Sequence, residues 1–200
     1  MSVRAVSAKQ PFGPTPTKQQ DRKQKIVVAT LGTILVFQFY SIWLVIFSGS
    51  SLPGSKFQFG LIFGLAQSVA ALSCGYICKY MSDKSAYVSM AAIALICYLA
   101  YYLLGEGTGG LMAQISLFFS VFGLGAMVSL CYLLIELRVP PSSYGSTMVF
   151  LLTCAIFCTI SSPIVAHMKS PTPQMVIMTL LSSIVILALR LPEAGEFLQA

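Results

Sequence analysis

The sequence predicts an all-α integral membrane bundle of six transmembrane helices. Three observations lead there. Charged residues make up 9% of the 200-residue chain and apolar residues 56%, whereas globular proteins average about 25% charged. Six long apolar runs alternate with short breaks of helix-stopping residues, and Lys and Arg are divided unequally between alternate breaks. A soluble core cannot hide so many apolar side chains. A bilayer solvates them on the outside of a helical bundle whose backbone groups are satisfied internally, so lipid is the first expected partner.

Residues 1–25 form a basic, polar N-terminal tail: Arg4, Lys9, Lys18, Arg22, Lys23 and Lys25 stand against the single acid Asp21. The tail has no apolar run able to serve as a signal-peptide core. Its Arg, Lys and Ser content is similar to that of a mitochondrial presequence, which makes the mitochondrial inner membrane one expected location. The favoured reading is a juxtamembrane segment touching anionic lipid.

The six apolar runs then follow at 26–47, 57–80, 86–104, 111–135, 147–168 and 175–189. A helix needs about 20 residues to cross a hydrocarbon core roughly 30 Å thick, which most of these runs supply, while the last is short unless its ends are counted generously. The breaks "GSSLPGSK", "SDKS", "GEGTGG", "RVPPSSYGS" and "KSPTPQ" have turn compositions rich in Gly, Pro and Ser. A six-helix domain over 26–190 and a short C-terminal tail over 191–200 complete the organisation.

Assigning the breaks to alternate sides places the tail's six basic residues with Lys79, Lys84, Arg138 and Arg190 on one side, and only Lys56 and Lys169 on the other. Cytoplasmic loops carry such an excess of Lys and Arg. Both termini are therefore expected on the cytoplasmic side, or on the matrix side of a mitochondrial inner membrane.

The remaining composition excludes several functions. Net charge is +6, but no basic helical face with interleaved aromatics is present, so nucleic acid is not an expected partner. Cys74, Cys78, Cys97, Cys131, Cys154 and Cys158 all fall inside apolar runs, which argues against a disulfide framework. The i,i+4 pairs Cys74/Cys78 and Cys154/Cys158 have no His or carboxylate beside them and read as small packing residues, so no metal and no cofactor are expected. Catalytic motifs are lacking: no HExxH, no phosphate-binding glycine loop and no clustered carboxylates. An enzyme is not expected.

No run has an ionisable residue near its centre, which disfavours proton-coupled pumping. Among the neutral polar residues, Gln38, Tyr40 and Gln67 are the candidates for contacting a substrate, with interhelical hydrogen bonding as the plainer role. His167 reads as an interfacial anchor. Small residues mark two faces, Gly60, Gly64, Ser68, Ala71 and Gly75 in the second run and Ser116, Ser120, Gly123 and Gly125 in the fourth. Both are expected to pack within the chain. Pro163 should kink the fifth helix.

The stretch "LLIELRVPPSSYGSTMVF" after the fourth run keeps Tyr132, Glu136, Leu137, Pro140, Pro141, Gly145, Ser146 and Thr147 in an order that resembles the end of the tenth helix in organic-ion and sugar transporters of the major facilitator superfamily. Leu191, Pro192 and Glu193 resemble the Leu-Pro-Glu-Thr that closes many organic-ion transporters. Gly75, Asp83 and Lys84 loosely match the family's Gly-x-x-x-Asp-x-x-Gly-Arg-Arg loop. The chain thus resembles the C-terminal six-helix half of such a transporter. The resemblance implies an inner-gate loop at Glu136, Arg138, Tyr144 and Gly145, with Tyr144 standing where the family places an arginine. Substrate in this superfamily lies between two halves, and one half encloses no pathway.

Two functions are therefore expected. One is a non-catalytic accessory subunit, whose former cavity face packs against other membrane protein subunits. The alternative is a small-solute transporter that restores the second half as a homodimer or with a separate chain.

Overall fold

A computed structural model of the chain describes residues 18–49, 56–105, 110–139, 141–167 and 172–191. The tail before Lys18, Pro140, and the C-terminal residues after Leu191, including Pro192 and Glu193, lie outside the described residues. Six helices follow in order: α1 (Lys18–Gly49), α2 (Lys56–Tyr80), α3 (Asp83–Gly105), α4 (Leu111–Arg138), α5 (Pro141–Ala166) and α6 (Pro173–Leu189). No strand occurs among the described residues. Five helices are long and apolar enough to cross a membrane. The protein is a multi-pass membrane protein. The sixth helix has 17 residues, about 25 Å at 1.5 Å per residue.

Three helix starts differ from the sequence expectation by three residues or more, each for a local reason. Helix α1 begins at Lys18 rather than 26, because the tail's last residues, "KQQDRKQK", are good helix formers with no breaker among them. Helix α3 begins at Asp83 rather than 86. Ser82 caps it: its Oγ accepts the Ser85 N–H at 3.3 Å, and Asp83 puts an acid in the first turn, where the helix dipole favours it.

The third difference is at "RVPPSSYGS", expected to be a turn up to 146. The structure carries α4 to Arg138 and starts α5 at Pro141. Proline is disfavoured inside a helix but suits its first position, where the missing N–H has no partner to lose. On the other side, the Val139 N–H closes α4 on the Ile135 carbonyl at 2.8 Å.

Helices α1 and α4 form the centre. The α4 span is 61% buried and the α1 span 44%, against 17% for each of α2 and α5. Helix α4 packs on α1, α2 and α3, helix α1 on α4, α5 and α6, and α3 meets α6. Exchanging α1, α2 and α3 with α4, α5 and α6 maps these principal pairings onto one another. Buried side chains between the central helices include Leu31, Ile34 and Leu35 on α1 and Leu124, Met127 and Leu134 on α4. Helix α6 contributes Ile177, Leu181, Ile184 and Ala188, a single stripe at helical spacing.

Candidate functional site

Gln38 is fully buried where α1, α3 and α4 meet. Its Nε2 donates to the Leu124 carbonyl on α4 at 3.3 Å, and its Oε1 accepts the hydroxyl of Tyr87 on α3 at 3.1 Å. Both ends of the amide are thus engaged by protein. Tyr87 is itself completely buried, and the phenol meets the rule that a buried Tyr hydroxyl finds a partner. Sequence reasoning singled out Gln38 and missed Tyr87. The available signal was a tyrosine inside an apolar run, whose hydroxyl has to be satisfied somewhere in the bundle.

The other two candidates lie apart from this network. Tyr40 is half-buried and packs against the hydrophobic core. Gln67, half-buried on α2, faces Gly125 of α4 so closely that a Cβ there would come within 2.5 Å of the Gln67 Oε1 and 3.1 Å of the Ala70 Cβ. Gly125 is what lets the glutamine lie between α2 and α4. A Cβ at Gly123 would stand 2.8 Å from the Met90 carbonyl oxygen and 3.0 Å from the Ala94 Cβ, and beside it Ser120 Oγ donates to the Ala94 carbonyl at 3.1 Å. The small residues of α4 therefore pack within the chain as expected.

Those of α2 do not. An added Cβ at Gly60, Gly64 or Gly75 would meet nothing within 4 Å among the described residues, and Ser68 and Ala71 between them are exposed. The expectation of packing within the chain is corrected for this face. Helix α2 turns Ala66, Ala70 and Cys74 toward α4 instead, with Cys74 Sγ donating to the Ala126 carbonyl at 3.6 Å. An apolar helix offers two small-residue faces here, and the alanine face is the one buried.

The residues of the expected inner gate occupy two helices. Glu136 is exposed in the last turn of α4, whose final residue is Arg138. Tyr144 lies in the first turns of α5, half-buried against the core. Gly145 follows it, exposed and open on the side a Cβ would occupy. Four residues expected in one loop are thus helical.

Helix α5 continues through Pro163. The carbonyl deprived of its backbone partner by that proline is that of Thr159, four residues earlier. Ser162 Oγ donates to it at 3.2 Å, and Ser162 is fully buried. The Pro163 carbonyl in turn accepts from the His167 backbone N–H at 3.2 Å and lies 2.7 Å from its Nδ1. His167 is exposed, one residue past the end of α5. Ser162 was not singled out from sequence, though a serine next to an intramembrane proline is a recognisable way to satisfy a freed carbonyl.

The six cysteines form no disulfide. No group of His, Cys, Asp and Glu suited to a metal ion occurs among the described residues. No protein-family model and no curated protein matches the chain.

Proposed function

We propose that the chain is a non-catalytic structural subunit of a larger membrane-protein assembly, built like one six-helix half of a major facilitator superfamily transporter. The observation that carries this reading is the open face of α2. Gly60, Gly64, Ser68, Ala71 and Gly75 stand on one side of a membrane-spanning helix with no atom of the described residues against the glycines. Glycine weakens a helix and gains nothing against lipid, whereas it lets the backbone of a second helix approach closely. A helix from another membrane protein fits that face.

The exchange relation between α1–α3 and α4–α6 supports the half-transporter comparison. Each half of those transporters contains two nested three-helix units of inverted topology, and an odd number of helices per unit inverts the second unit here as well. In the proposed orientation the start of α1 and the α2–α3 turn face the cytoplasm or matrix, following the excess of Lys and Arg at that end.

Gentle detergent extraction followed by native mass spectrometry tests the reading. The expected result is recovery in a heteromeric particle. Recovery only as a homodimer would overturn it in favour of a transporter assembled from two identical halves.

A further inference from the structure

Between the first half of α1 and the start of α5 lies an open groove of about 700 Å³, within the roughly 300–1,000 Å³ usual for ligand pockets. We propose that this groove binds one anionic phospholipid, its headgroup at Lys25 and one acyl chain along the groove toward the bilayer centre.

The two helices run parallel. Gly32 faces Leu151, where an added Cβ would stand 3.2 Å from the leucine Cδ2, and further along Cys158 Sγ donates to the Val36 carbonyl at 3.7 Å. The lining is graded along that direction. Lys25, Ser146 and Thr147 stand at the mouth, and Val36, Leu151 and Cys154 at the far end. From Lys25 to Val36 is about 16 Å along a helix, roughly half the hydrocarbon thickness.

Thr33 is the polar residue partway down, and its hydroxyl proton is spent on the Ala29 carbonyl at 2.9 Å. A compact polar solute would find little to bind there. An apolar chain loses nothing, and its charged head would remain at the mouth.

Charge selects the sign of that head. Lys25 begins the first span. The alternation of helix direction puts Lys79 of α2 and Lys84 of α3 at the same end of the bundle but outside the groove, where they mark that end as the basic one, and Lys25 is the charged residue of the lining itself. Basic pockets between spans at such an end suit anionic lipid headgroups.

The test uses the purified full chain in mixed micelles containing phosphatidylglycerol and phosphatidylcholine with identical acyl chains, read by native mass spectrometry. The wild type should retain one lipid, with phosphatidylglycerol favoured about fivefold, the preference one lysine provides. Lys25→Glu should abolish the preference while a lipid is still retained. Lys84→Glu, away from the groove, should leave the preference intact. Ala29→Phe should fill the groove and release both lipids, and Thr147→Phe does the same if Ala29→Phe fails to fold. A wild type that retains no lipid or both lipids equally, or a Lys25→Glu chain that keeps the preference, overturns the proposal.

Discussion

Tyr87 on α3 donates its hydroxyl proton to the Oε1 of Gln38 on α1 across 3.1 Å, and both residues are completely buried. With the Gln38 bond to Leu124, this ties three helices together at one amide. Apolar packing between spans is not driven by water, so a polar bond of this kind contributes to association and fixes register.

Tyr87→Phe removes the donor and leaves the amide oxygen without it. The loss should be about 1 kcal/mol, in line with interhelical bonds in membranes. Gln38→Leu removes the acceptor, and the double variant should be less destabilised than the sum of the two. Reversible unfolding in mixed micelles gives the cycle. Strict additivity would mean that the pair contributes no coupling.

Gly123→Ala should destabilise the bundle by roughly 1–3 kcal/mol, because the new methyl meets backbone of α3 rather than a movable side chain. Gly125→Ala should cost less, since its nearest obstacle is the end of the Gln67 side chain. Gly64→Ala should leave the isolated bundle unaffected or slightly firmer, the open side accepting a methyl freely. Thermal unfolding of the three purified variants ranks them, and a Gly64→Ala cost equal to that of Gly123→Ala would contradict the packing described.

Ser162→Ala should cost about 1 kcal/mol by leaving the Thr159 carbonyl without its donor. Pro163→Ala restores a backbone N–H to that carbonyl. In the Pro163→Ala background, Ser162→Ala should therefore be nearly silent, which the same unfolding measurement checks.

Ser82→Ala should lower stability by about 1 kcal/mol through loss of the α3 cap. Ser82→Asp should retain most of it, since an aspartate accepts the same N–H. Equal losses in the two variants would exclude a capping role.

Five of the six helices were legible because a membrane span announces itself by about twenty apolar residues, whatever packs around it, and the sixth because its shorter apolar run is bounded by helix stoppers. Two starts were misplaced at residues that serve as both turn and helix signals. Ser82 and Asp83 read as a break but cap α3, and Pro141 reads as a stopper but opens α5. Partners were less legible still. The stripes containing Gly64 and Gly123 look alike in sequence, and only the neighbouring backbone tells that one is filled and the other open. Gln38 was visible as a polar residue in an apolar run. Its partner Tyr87, 49 positions away, was not, because no local pattern ties the two.

The central claim is that the small-residue face of α2 receives another protein's helix, and site-specific photo-cross-linking in intact membranes tests it most directly. A photoreactive phenylalanine would replace Leu72, beside that face and 78% exposed, or Ile96 on α3, 65% exposed. The account predicts a discrete protein adduct from position 72, none from position 96, and loss of the first on introducing Gly64→Leu. Lipid adducts alone from both positions would contradict it.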